Sequence, residues 1–192
     1  MIVMRILLLG NSFTYYHDMP AMLSALSGWE VVAHTRGGAW LDEHLDPALE
    51  LGAKTLPALQ NERWDYVVLQ EHSKGPIVDQ PRYLRSVEVL CRLAREAGAK
   101  PVIYASWAYK EDSPKLATMS MSYPAMDAAL HASCLEAARA NQALMADVGS
   151  AFTSTRHLLE LYEPADDYHP TREGSLLIAY TLMQCIQQDA RS

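Results

Sequence analysis

Five short apolar runs, each separated from the next by enough chain to hold a helix, constrain this sequence more than any other feature. They fall near residues 4–9, 29–34, 65–70, 101–106 and 146–149. The first reads Met-Arg-Ile-Leu-Leu-Leu, and the third, Asp-Tyr-Val-Val-Leu-Gln, is rich in β-branched side chains. Runs this short and continuous suit parallel strands buried on both faces. Helical patterns are expected near 21–26, 41–60 (interrupted by Pro47 and Pro57), 81–97, 126–145, 153–162 and 173–187. The clearest is 81–97, where Tyr83, Leu84, Val87, Leu90, Cys91 and Ala94 share one face and Gly98 follows as a C-cap. This alternation predicts an α/β fold: a three-layer α/β/α arrangement around a flavodoxin-like parallel sheet of five strands in the order 2-1-3-4-5. No linker or repeat divides the 192 residues, so residues 1–192 are expected to form one domain.

Composition narrows the partners. Charged residues make up 20% and hydrophobic residues 49%, which is ordinary globular usage. The formal net charge is -7 and no block of Lys or Arg interrupts it, so nucleic acid and acidic membranes are not expected partners. An uncharged or cationic small molecule would meet less repulsion. Cys91, Cys134 and Cys185 are odd in number, far apart and set in helical patterns, as expected of reduced thiols in a cytoplasmic protein. His17, His34, His44 and His131 lack metal-ligand spacing, and no phosphate or dinucleotide loop occurs, so no metal or cofactor is expected. The first apolar run is too short to span a membrane, and it ends in a candidate motif rather than a cleavage site.

That motif is Gly10-Asn11-Ser12-Phe13-Thr14. A serine just past the carboxyl end of a first strand lies where α/β proteins place ligands, beside backbone N–H groups able to stabilise an oxyanion. In a parallel sheet Gly37 and Gly38, after strand two, and Gln70, ending strand three, reach the same edge. So does Asp166-Asp167-Tyr168-His169-Pro170, just before the last helix. Asp166 and His169 are spaced so that the carboxylate can orient the imidazole in a turn, leaving its other nitrogen free as a base. Asp167 competes for that role. Trp40, Trp107, Tyr15 and Tyr109 are expected near the edge, as packing or as aromatic faces for a sugar. Asp18 is a plausible N-cap, Glu71 a plausible partner of Arg36, and the polar stretch 109–123 a plausible lid.

The ordered set Gly-Asn-Ser-Phe-Thr, Gly-Gly, a block after strand three and Asp-x-x-His-Pro resembles the SGNH hydrolases, also called GDSL-like esterases and lipases, over nearly the whole chain. The resemblance implies that Ser12 is the nucleophile, His169 the general base and Asp166 its orienting acid. It implies an oxyanion hole of the Ser12 N–H, the Gly38 (or Gly37) N–H and a side-chain amide from the third block. The family's Gly-x-Asn-Asp is replaced there by Leu69-Gln70-Glu71-His72, as in a divergent branch, so Gln70 is the expected amide donor and His72 the alternative. Gly37, His72 and Trp107 are expected to contact substrate. The implied activity is hydrolysis of a small acyl ester, such as acetyl on a carbohydrate or similar alcohol. The alternative is a catalytically silent module of this fold that binds a carbohydrate or acyl ligand.

Overall fold

The computed structural model describes residues 3–192. Strands β1 (Arg5–Gly10), β2 (Glu30–Thr35), β3 (Tyr66–Leu69), β4 (Lys100–Ala105) and β5 (Leu144–Asp147) form one parallel sheet in the expected order β2-β1-β3-β4-β5. The helices are α1 (Ser12–Tyr15), α2 (Met19–Ser27), α3 (Glu50–Asn61), α4 (Gly75–Val78), α5 (Gln80–Glu96), α6 (Pro114–Ala117), α7 (Tyr123–Ala140), α8 (Val148–Thr155) and α9 (Arg172–Ala190). Short 3-10 turns occupy Tyr16–Asp18 and Leu41–Leu45. Among the described residues no helix is long and apolar enough to cross a membrane.

Successive strand side chains point to opposite faces, and the central strands are apolar on both. Ile6 and Leu8 of β1 join Val68, Val102, Leu130, Ile178 and Leu182 in one core. Leu7 and Leu9 join Val67, Ile103, Val87 and Leu90 in the other. Residues Ile6 to Leu9 are each at most 1% exposed, and such a side chain is worth about 1.5–3 kcal/mol when fully buried. In register, Leu9 of β1 lies between His34 of β2 and Leu69 of β3, so these strands end together along one edge.

Several boundaries differ from expectation. The helix expected over 126–145 begins at Tyr123 and stops at Ala140, where the Asn141 side chain donates to the Ala137 carbonyl. Gln142 then takes a left-handed φ of 50° and turns the chain, so Leu144 and Met145 pair with β4. The helix expected over 153–162 lies earlier: α8 runs Val148–Thr155, taking in Val148 and Gly149, expected as strand, and its first turn is capped by the Asp147 carboxylate at the Ser150 N–H. The 41–60 pattern splits into the Leu41–Leu45 turn and α3, with Pro47 in the break and Pro57 tolerated inside the helix. Asp18 sits at φ 55° and makes no capping bond. The stretch 109–123 is not a lid: Tyr109, Leu116 and Tyr123 are buried in the core, and Ser113 caps α6 within it.

Candidate active site

Gly10 ends β1 where the chain must pass close to two side chains. A Cβ there would lie 2.5 Å from both Gln70 Oε1 and Thr14 Oγ1, closer than real contacts allow, so only glycine fits. Asn11 then caps α1: its side-chain oxygen accepts from the Phe13 N–H at 3.0 Å, while its Nδ2 donates to the Ala39 carbonyl at 3.1 Å. The cap therefore also ties this turn to the Gly37–Gly38 loop. Ser12 opens α1, so its N–H belongs to the first turn of a helix, where backbone donors lack internal partners. Among the described residues neither the Ser12 nor the Gly38 N–H is taken by another group, and both residues line one pocket.

The structure brings the first and last motifs together. Ser12 Oγ lies 2.8 Å from His169 Nε2, and His169 Nδ1 lies 2.8 Å from Asp166 Oδ2. The other Asp166 oxygen accepts the backbone N–H of Tyr168 at 3.0 Å and of His169 at 2.9 Å. Burial opposes ionisation of Asp166, but these N–H groups and the imidazole outweigh it and hold its carboxyl below the usual range. Asp167, the competing acid, takes a left-handed φ of 63° and reaches Lys110 at 3.5 Å instead.

A second ring of contacts holds this set. The Glu163 N–H donates to the His169 carbonyl at 2.8 Å, and the Glu163 carbonyl accepts from Asp167 at 2.9 Å. The Glu163 carboxylate meets His17 Nε2 at 2.6 Å, so the segment after the serine is clasped to the turn that carries the histidine. Between them the Tyr16 ring stacks on His169, centroids 4.1 Å apart and nearly parallel. Tyr16 and Tyr168 were not singled out from sequence; the available signal was only their adjacency to the two motifs.

The third block departs from its expected role. Gln70 is 1% exposed. Its Oε1 accepts from the Asn11 N–H and from Thr14 Oγ1, both at 2.9 Å, and its Nε2 donates to the Glu71 carbonyl. A backbone donor at one end and a backbone acceptor at the other fix the amide's orientation. One of the two Nε2 hydrogens is taken by the Glu71 carbonyl, and Gln70, buried, does not line the pocket. It is a brace beneath the serine turn. Glu71 likewise does not pair with Arg36, which pairs with Glu43. It is buried and accepts the N–H of Leu41 at 3.1 Å and of His72 at 2.6 Å. Burial pushes its carboxyl up to about 7.

His72 does line the pocket. Its ring stacks on Trp40, centroids 4.7 Å apart, and the Arg82 guanidinium covers Trp40 at 4.1 Å while gripping Asp42 in a two-pronged pair. Burial, then the charges of Lys74, Lys115 and Arg82, push the His72 pKa down, which keeps the imidazole neutral near pH 7. Trp107 contacts no substrate space. It is fully buried between Phe13 and Phe152, stacked at 4.3 and 4.2 Å, and its indole N–H supports the Tyr168 carbonyl at 3.0 Å. Tyr109 is also buried, bonded to Ser73 at 2.7 Å. The pocket, about 210 Å³, is bounded by Tyr15, Tyr16, Gly37, Gly38, His72, Ser73, Tyr168 and the Ser12–His169 pair. Among the described residues no group of three or more His, Cys, Asp or Glu is placed to hold a metal ion.

No family model and no curated protein matches the chain. Solved structures do. A protein from Slackia heliotrinireducens, provisionally assigned as an SGNH hydrolase, is 43% identical, with 96% of this chain and 100% of that one covered and a TM-score of 0.91. A DUF4886 family protein from Bacteroides uniformis superposes with a TM-score of 0.75 at 18% identity, covering 97% of this chain and 84% of that one. A catalytic mutant of an acetylxylan esterase from Geobacillus stearothermophilus gives 0.70 at 15% identity, covering 96% and 95%. At those lower identities the likeness is one of fold. The match to the Slackia protein runs the length of both chains, and on that ground this chain belongs to the SGNH hydrolase family.

Proposed function

We propose that the chain is a serine esterase that removes a small acyl group, such as acetyl, from a carbohydrate or similar alcohol. The observation that carries this reading is the alignment of Ser12, His169 and Asp166, with both contacts at 2.8 Å. His169 Nε2 takes the Ser12 proton as Oγ attacks the ester carbonyl carbon. The oxyanion rests on the N–H groups of Ser12 and Gly38. With Gln70 outside the pocket and His72 on its wall, the third donor is assigned to the neutral His72 ring. Collapse expels the alcohol, which leaves with the proton from His169. Water, deprotonated by the same imidazole, then releases the acid and restores Ser12. Ionised Asp166 stabilises the imidazolium at each step. A cavity of about 210 Å³ walled by aromatic rings suits an acetyl-sized group better than a long chain. The shared fold with an acetylxylan esterase is consistent with this.

The test is labelling by a fluorophosphonate probe, followed by a series of nitrophenyl esters and acetylated sugars. Wild type should label, the Ser12→Ala variant should not, and turnover should fall as the acyl chain lengthens. Absence of labelling of the folded wild type would sink the esterase reading in favour of a silent binding module.

A further inference from the structure

The polar stretch 109–123 does not close over the pocket, but it carries one side chain to its rim. Lys115, on α6, places Nζ 4.1 Å from the ring centre of Tyr168, a pocket wall, and 5.3 Å from that of Tyr109. The Tyr109 hydroxyl is bonded to Ser73, another wall residue, and Lys74 follows Ser73 directly. Both lysines are half-buried, and the charge of each is felt by His72, a third wall residue.

Five carboxylates around the site have partners of their own. Asp166 serves His169, Glu163 meets His17, Asp167 meets Lys110, Glu43 meets Arg36 and Asp42 meets Arg82. Among the described residues neither Lys74 nor Lys115 has a carboxylate within 4.0 Å. A lysine laid on aromatic faces has given up part of its hydration, and an anion arriving beside it is attracted more strongly than it would be by a free surface lysine. The chain's net charge of -7 acts at longer range and is screened beyond about 8 Å at physiological salt, so the local pair dominates at the rim.

We propose that the ester taken by this site carries an anionic group, carboxylate or phosphate, on its alcohol portion, held by Lys74 and Lys115 while the small acyl group enters the pocket. This rests on the esterase reading for its orientation and reverses the expectation of an uncharged or cationic substrate drawn from net charge. The lysines bind; they take no part in the chemistry.

The test separates binding from turnover. Ser12→Ala protein is titrated by NMR with monoacetylated glucose, glucuronate and glucose 6-phosphate. At low salt, one or both anionic sugars should bind about five- to tenfold more tightly than the neutral one. The preference should shrink at high salt and in a Lys74→Gln/Lys115→Gln protein, and Lys115→Arg should retain it. The identity of the favoured anion distinguishes carboxylate from phosphate. Wild-type turnover of the same sugars tests the esterase reading separately: preference without turnover leaves the anion subsite standing and removes that reading. Equal binding of all three sugars, binding of none, or a preference that survives loss of both lysines overturns the proposal.

Discussion

The Gln70 side-chain oxygen accepts the Asn11 N–H at 2.9 Å, joining the end of β3 to the residue before the candidate nucleophile. An oxyanion donor and a buried brace predict different consequences for the same substitution. As a brace, Gln70→Ala orphans the Asn11 N–H and the Glu71 carbonyl, each costing about 1–3 kcal/mol. The expected result is a loss of about 2–6 kcal/mol in urea unfolding. Loss of a hole donor would instead lower kcat by about 10²–10³ with stability unchanged.

Asp166 and Asp167 are adjacent and chemically alike, yet only Asp166 reaches His169. Asp166→Asn should lower kcat by about 10³–10⁴, as expected when the orienting acid of such a triad is neutralised. Asp167→Asn breaks only an exposed contact to Lys110 and should leave kcat within about twofold. Esterase kinetics on the two variants check this directly.

Glu71 gives a stability signature in pH. Its carboxyl is raised from 4.5 to about 7 in the folded protein, so between those values the folded state holds a proton that the unfolded chain has released. Stability therefore falls as pH rises through that window and then levels off. At about 1.4 kcal/mol per pH unit, the fall amounts to as much as about 3 kcal/mol. Glu71→Gln keeps an oxygen for the Leu41 and His72 N–H groups and removes the titration. Its unfolding free energy should lack this slope and should equal or exceed wild type above pH 7.

The His17–Glu163 contact is partly exposed, with side-chain exposures of 35% and 28%, so its own contribution to stability is small, about 0.2–1 kcal/mol. Its larger effect should be on catalysis, because it anchors Tyr16 over His169. We expect Glu163→Gln and His17→Ala each to lower kcat several-fold with KM nearly constant. The double variant should match either single one, the behaviour of groups that act as a unit. Fully additive losses would dissolve the clasp.

Strand order and the meeting of Ser12, Asp166 and His169 at one edge were legible from local pattern plus one topological rule, that parallel strands end together; the roles expected within that set came from the family resemblance. Gln70 was not legible, because a polar residue at a strand end reads the same whether its amide faces the pocket or folds under it. Trp107 failed for the same reason, since an aromatic residue just past a strand may form the floor of a site or its foundation. The α7–β5 boundary was hidden by the run Ala143-Leu144-Met145, whose residues suit a helix as well as a strand. The break came instead from Gln142 in a left-handed conformation, which composition does not announce. Lys115 was invisible as a rim residue until Tyr168 was placed beneath it.

The hydrogen bond from Ser12 to His169 closes a loop of 157 residues. On the proposed mechanism, a nascent chain that ends before His169 lacks its base and should not hydrolyse esters. Probe labelling during synthesis should then mark only chains that extend past His169, a readout of how far synthesis has gone.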